Sequence, residues 1–430
     1  MSRSHFERWC GMIEVKALSA YEILDSRAQP TIAVVLELTS GVVGRSGVPS
    51  GASRGSREAA ELRDGDPMRY GGRGVLRAVE HINDKVAEHL RGRDFASLAD
   101  LDEELLKLDG TANKKRIGAN AIIGVSMAAA QALAKSEGRS LWRSLTPAGV
   151  EPRLPVPHFN IINGGAHATN ALDFQEFMIA PLGARNMKEA VRAGAEIYRV
   201  LRQELQSRSM SVGLGDEGGF APEIASPEAV LELLVNAIES AGYETSYEGV
   251  MIALDPAANG FYRDGVYHVD GEKLSSNEMV ERYCELIESY PIWSLEDGLA
   301  ENDRAGWVHL TECLGEKVQL VGDDLLVTNP TIIKKAIELK MGNSALIKPN
   351  QIGTITETLE AMRICRDAGW AQMVSHRSGE TVDSFIADLA VASGCGQIKS
   401  GAPARGERTA KYNRLIEIEA TNELPYGRAK

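Results

Sequence analysis

Cysteine is scarce in this chain of 430 residues. The five present, at positions 10, 284, 313, 365 and 395, are odd in number, far apart and without a CxxC pair. That spacing argues against a disulfide framework or a zinc site and fits the reducing cytoplasm. No run of eighteen apolar residues exists, and the opening MSRSHFERWCGM has no apolar core of an export signal, so neither a membrane span nor secretion is expected. Positive charge is also in deficit, 47 Lys and Arg against 60 Asp and Glu, for a formal charge of -13. Such a balance excludes nucleic acid or an anionic membrane as the main partner and leaves an anionic substrate only where cations are held locally. Residues 1–11 lack apolar periodicity as well and read as a disordered leader.

The length exceeds what one compact core usually supports, so two domains are expected, the larger a barrel of about 250 residues or more. Over 12–145 the strand-like IEVKALSAYEIL, TIAVVLELTSG and VVGRSGV precede the helix-like REAAELRD, GVLRAVEHINDKVAEHL, LADLDEELLKL and GANAIIGVSMAAAQALAKSEG, the order of a small α+β domain. The proline-rich EPRLPVPHF at 151–159 reads as a linker into a second domain assigned to 146–430. In that domain short apolar runs alternate with helical ones such as SPEAVLELLVNAIESAG. The runs end on charge: VMIALD on Asp255, PIWSLE on Glu296, VQLVGDD on Asp323 and Asp324, SALIK on Lys348, AQMVSH on His376 and GQIK on Lys399. Their separations approximate the thirty or so residues of a βαβ unit. An α/β barrel presents chemistry at the C-terminal ends of its strands. Carboxylates for a hard cation, two lysines and a histidine then converge on one rim.

Three loops carry weaker signals. SGVPSGASRGS fails the P-loop pattern for want of Gly-Lys-Ser/Thr. NIINGGAHATN suspends His167 between flexible residues, as a lid would. GLGDEG at 213–218 satisfies GxGxxG formally, but Asp216 and Glu217 would face a pyrophosphate with like charge, and no buried strand precedes them. The better reading pairs Glu217 with Glu176 in one cavity, where mutual repulsion raises one pKa and leaves the other carboxylate ionised.

Together LDSRAQPT, VPSGASRG, NIINGGAHATN, DFQEFMIAP, GDEGGFAP, SLEDGLAENDRAGW, VGDDLLVTNP, KPNQIGT, VSHRSGETVDSFIADLAV and GQIKSGAPARGERTAKYN resemble the enolase family, in its order, from about Met12 onward. The resemblance implies a small α+β domain on an irregular eightfold β/α barrel, and a homodimer or a ring of dimers. It implies magnesium-dependent, reversible dehydration of 2-phosphoglycerate, a small phosphorylated acid, to phosphoenolpyruvate. Asp255, Glu296 and Asp323 match the family's magnesium ligands, and Ser53 matches the lid serine that ligates a second magnesium. Lys348 matches the base, its pKa lowered by the metals and Lys399. Glu217 matches the acid, with Glu176 and His376 shaping its pocket. Arg377 and Ser378 match the phosphate contacts, and Gln175, His167 and Lys399 the remaining substrate contacts.

The chain departs from the family's usual pattern at Ala28, Gln29, Thr169, Asn259, Gly260 and Gly406. Because these fall on lids and supporting segments, they admit an alternative: a paralogue acting on a related phosphorylated or phosphonate acid, with a carboxyphosphonoenolpyruvate-type product. A binding scaffold, with Lys430 as a terminal lysine ligand, is the reading a complete acid, base and metal set disfavours.

Overall fold

The structure is a computed structural model and describes residues 13–427 except 53 and 225. The leader expected at 1–11 and the lid serine Ser53 lie outside the described residues. The first domain is built on antiparallel strands Ile13–Leu24, Pro30–Leu38 and Val43–Gly47, with the longest strand between the second and a two-residue strand Asp94–Phe95. Against it lies the helix Ala119–Ser136, whose small residues are buried on nearly every side. The approach is close: a Cβ at Gly44 would stand 1.9 Å from the Ala128 carbonyl oxygen, so only glycine fits there.

One expected helix is absent. REAAELRD, 57–64, has helical composition but forms no helix, because its backbone bonds elsewhere. Ala59 N–H donates to the Gln351 carbonyl at 2.9 Å, Ala60 to Asn113 at 2.7 Å and Asp64 to Gly74 at 2.8 Å. Tertiary partners outbid local propensity here. The segment 76–90 is helical as expected but carries a π turn at Ile82–Val86.

The second domain is a closed eight-stranded barrel: Val156–Asn163, Glu176–Ala180, Met251–Asp255, Ile292–Glu296, Gln319–Gly322, Ser344–Ile347, Ala371–Ser375 and Gln397–Lys399. The stretch read as linker, 151–159, is therefore half barrel: Val156 N–H already bonds Gly396 at 2.9 Å and the linker ends before it. Seven strands run parallel, and Glu176–Ala180 runs antiparallel to both neighbours. The reversal puts the start of that strand on the same rim as the ends of the others, with Glu176 opposite Asp255. Inside the barrel the amides of Gln319 and Gln397 bond each other at 2.8 and 2.9 Å, which satisfies polar groups that burial would otherwise penalise.

Helix starts follow capping chemistry. Ser97, Asn186, Ser226, Asp303, Asn329 and Thr354 each accept a first-turn N–H, and Ser275 with Glu278 forms a capping box. Buried polar contacts join the domains: Lys114 to Glu357 at 2.9 Å, Thr356 to Asp102 at 2.6 Å, and a bridge between Ser50 and Gly379. No described helix is long and apolar enough to cross a membrane.

Candidate active site

The strand ends deliver the predicted side chains to one place. Asp255 and Glu296 terminate their strands, Lys399 ends the eighth, and Asp323, Lys348 and His376 stand one residue beyond theirs. A cavity of about 260 Å³ is lined by His167, Gln175, Glu176, Glu217, Asp255, Lys348, His376, Arg377, Ser378 and Lys399. Glu296 and Asp323 adjoin it through the two lysines. Of the expected site residues only Ser53 is undescribed.

Lys399 is the electrostatic centre. Its Nζ lies 2.8 Å from Glu296 Oε1, 2.9 Å from Asp255 Oδ2 and 3.0 Å from Glu176 Oε2. Burial alone would lower its pKa, but these carboxylates hold it well above the ordinary lysine value. Lys348 Nζ donates to Asp323 Oδ2 at 2.5 Å, and that carboxylate likewise outweighs burial and holds the ammonium above its usual value. The sequence reading expects a lowered value for Lys348 with two metal ions and Lys399 beside it; from the protein's own groups alone the direction is upward. The reason is Asp323, whose full charge falls on the lysine in this arrangement.

The acidic side is crowded. Burial raises Glu296, with Asp255 adding to it, and raises Asp297, with Asp324 and Asp323 adding to it; Asp324 is pushed up to about 7 by burial and Asp323. Ligand atoms of Asp297, Asp323 and Asp324 lie within 4.8 Å of one another, as do those of His167, Glu176 and Glu217. Glu296 Oε2 is buried with no hydrogen-bond partner among the described residues. An all-oxygen donor set with excess negative charge and an orphaned carboxylate oxygen fits a hard divalent cation.

Glu176 and Glu217 split as a pair. Burial and the neighbouring Glu217 raise Glu176 well above the carboxylate range. For Glu217 burial is outweighed by His376, His167 and Arg408, which hold it low. His167 Nδ1 stands 3.6 Å from Glu176 and 3.7 Å from Glu217, and Asn160 donates to Glu217 at 3.0 Å. The surroundings thus push the two carboxyls in opposite directions, Glu176 upward and Glu217 downward, whereas the sequence reading gives the acid role to Glu217.

His376 faces Glu217 through Nε2 at 3.2 Å and receives Arg408 Nη1 on Nδ1 at 2.5 Å. Burial lowers its pKa to about 4, so the ring is neutral at pH 7. Arg377 meets Glu58 in a two-pronged pair at 3.0 and 3.1 Å and donates to Asn350 at 3.1 Å. Ser378 Oγ accepts from the Ala52 N–H at 2.6 Å, which ties the loop of the first domain to this corner. Arg408, Glu58, Asp297 and Asn160 are site residues that sequence reasoning missed. The GLGDEG segment is a turn in which Gly215 N–H bonds Gly219 at 2.8 Å; it neither follows a strand nor opens a helix, both of which a dinucleotide site requires.

Comparison with known proteins agrees with this geometry. The family described as enolase, N-terminal domain, matches residues 15–145, and that described as enolase, C-terminal TIM barrel domain, matches 151–426. The protein named enolase of Campylobacter jejuni subsp. jejuni serotype O:23/36 is 53% identical over 412 residues, covering 96% of this chain and 98% of that protein. That of serotype O:2 is 54% identical over 408 residues, covering 95% and 97%. A barrel rim bearing two lysines amid carboxylates, matched along both domains, means that this chain belongs to the enolase family and is a lyase.

Proposed function

We propose that the chain interconverts 2-phosphoglycerate and phosphoenolpyruvate with magnesium, in the cytoplasm. The observation that carries this reading is that one cavity is lined at once by the Lys348 amine, the Glu176–Glu217 dyad, Asp255, and the Arg377–Ser378 corner. A proton α to a carboxylate is very weakly acidic, and removing it places a second negative charge on that group. Asp255, Glu296 and Asp323 are the residues that would hold magnesium, with Ser53 completing a second site. Bound there, magnesium would supply the missing counter-charge and would draw Asp323 off Lys348, so that the amine titrates lower. A lysine base beside bound magnesium is the known pattern of enolase-type sites.

Lys348 takes the C2 proton. Lys399 stays charged among its three carboxylates and orients the substrate carboxylate. Glu217 protonates the departing C3 hydroxyl, while His376 presents its Nε2–H to Glu217, Glu176 stands beside it, and Gln175 and His167 wall the cavity. Phosphate oxygens compete with Glu58 for the Arg377 guanidinium, whose planar fork suits either partner.

The positions that depart from the family pattern support the ordinary substrate, because Ala28, Gln29, Thr169, Asn259, Gly260 and Gly406 do not line the cavity. Self-association as a homodimer has a supporting face in the first domain: Tyr21, Leu24, Met68, Tyr70 and Leu76 are exposed. Glu22 draws that segment onto the strand through Arg69 at 2.7 Å and Val75 at 3.1 Å. The deciding experiment follows the absorbance of the enol product from 2-phosphoglycerate. Turnover with magnesium and none in excess chelator is expected; robust turnover in chelator, or turnover only of a phosphonate acid, would refute the proposal.

A further inference from the structure

We infer that Asn259 is a positioning residue that holds the surface on which residues 55–57 of the first domain rest. Its amide joins three strand-end loops. It follows Asp255 by four residues, in the turn Ala258–Gly260. Nδ2 donates to Asp324 Oδ2 at 2.8 Å, and Oδ1 accepts the Glu301 N–H at 2.9 Å. The loops after Met251–Asp255, Ile292–Glu296 and Gln319–Gly322 are thereby pinned by one side chain.

The first-domain loop rests on this surface. Ser56 N–H donates to the Glu301 carboxylate at 3.1 and 3.3 Å, and Arg57 Nη2 donates to the Leu325 carbonyl at 2.8 Å. Gly55 lies flush against it: a Cβ there would sit 3.1 Å from the Asp324 carbonyl oxygen and 2.5 Å from Val327 Cγ1. The same loop reaches the phosphate corner through Ala52 and Ser378. A shift of Asp324 or Glu301 therefore moves the loop that bonds Ser378 in the cavity wall.

Only an amide of this length meets both demands, since one neighbour is a carboxylate needing a donor and the other an N–H needing an acceptor. A serine hydroxyl donates and accepts from one oxygen on a shorter stem, so it spans the two partners less well, and alanine offers neither bond. Aspartate, nearly isosteric, would set a second carboxylate against Asp324. The kinetic arm of the test rests on the enolase reading; the proteolytic arm does not.

The test compares Asn259→Ala, Asn259→Ser and Asn259→Asp. In the free protein, brief trypsin treatment should cleave after Arg54 or Arg57 roughly tenfold faster in the alanine variant, with serine intermediate and aspartate at least as fast as alanine. Because a less populated docked loop lowers apparent affinity in proportion, KM for 2-phosphoglycerate should rise roughly tenfold with kcat nearly unchanged. Melting curves show whether each variant is folded, and the serine variant decides if alanine is not. Wild-type loop cleavage in the folded variants, cleavage spread over the whole chain, tolerance of aspartate, or a fall in kcat at constant KM would each overturn the inference. A wild-type protein inert towards 2-phosphoglycerate would refute the enolase reading and leave the trypsin result to decide Asn259.

Discussion

Arg408 fixes the tautomer of His376. A guanidinium can only donate, and its Nη1 lies 2.5 Å from Nδ1, so Nδ1 accepts and the single ring proton sits on Nε2, facing Glu217 at 3.2 Å. Fully buried, Arg408 also donates to the carbonyls of Arg377 at 2.7 Å, Ser378 at 2.6 Å and Asp216 at 3.0 Å. It therefore places the Arg377–Ser378 corner and the turn that bears Glu217 relative to one another.

Replacing it tests that role. Arg408→Lys keeps the charge but loses the planar fork, so the ring and both loops shift. A fall in kcat on the order of 10²-fold is expected, the cost of about an ångström of misplacement. Steady-state kinetics beside a melting curve check it, and activity near wild type would remove Arg408 from the site.

Glu296→Gln probes the metal set. The orphaned Oε2 and the excess of buried carboxylates support Glu296 as one of the proposed ligands. Calorimetric titration should show magnesium affinity weakened by at least roughly tenfold, and the rise in melting temperature that magnesium confers should shrink with it. Unchanged affinity would strike Glu296 from the ligand set.

Much of this site was legible because barrel strands announce themselves as short apolar runs and their ends as abrupt charge. Asp255, Glu296, Lys348, His376 and Lys399 were found that way. Glu176 was harder, since it begins an antiparallel strand and no run ends on it. Arg408 and Glu58 carry no local signal: the first sits inside the helix Gly406–Thr421, and the second lies in a stretch whose composition reads as helix. The direction of the Lys348 shift depends on Asp323 standing 2.5 Å away, a distance that spacing along the chain does not contain.

Ala28 holds a left-handed φ of 56° where the family pattern has glycine. That conformation costs a residue with a Cβ about 1–2 kcal/mol, partly offset because glycine frees the unfolded chain by about 0.4–1 kcal/mol. Ala28→Gly should accordingly stabilise the protein by up to about 1 kcal/mol in denaturant titrations. A destabilised variant would mean that the methyl group packs favourably.

Asp102 gives a pH test remote from the cavity. Buried between the domains and bonded to Thr356 at 2.6 and 3.0 Å, its carboxyl is pushed up to about 6 by burial. The folded state therefore holds a proton that the unfolded state releases near pH 4, so ionisation disfavours folding progressively from about pH 4 to 6 and by a constant amount above. An asparagine at this position does not titrate and carries no such penalty. The stability of Asp102→Asn relative to wild type should rise by on the order of 2–3 kcal/mol over that interval and then level off. A difference independent of pH would show that the Asp102 carboxyl titrates alike in the folded and the unfolded protein.

The base and the acid should fail in different ways. In the proposed reaction loss of the C2 proton and departure of the C3 hydroxide use different groups, Lys348 and Glu217, and occur in separate steps. Lys348→Ala removes the base, and both C2 exchange with deuterated solvent and product formation should fall by roughly 10²–10⁴-fold. Glu217→Gln leaves Lys348 in place. Proton abstraction and return at C2 need no leaving group to depart, so exchange should stay measurable while product formation collapses. Glu176, whose carboxyl burial and the neighbouring Glu217 push upward, is intact in that variant but has lost its carboxylate partner. NMR of the C2 position, run beside the absorbance assay, separates the two steps. Exchange abolished in Glu217→Gln and retained in Lys348→Ala would reverse the assignments, and product formation surviving in Glu217→Gln would pass the role of acid to Glu176.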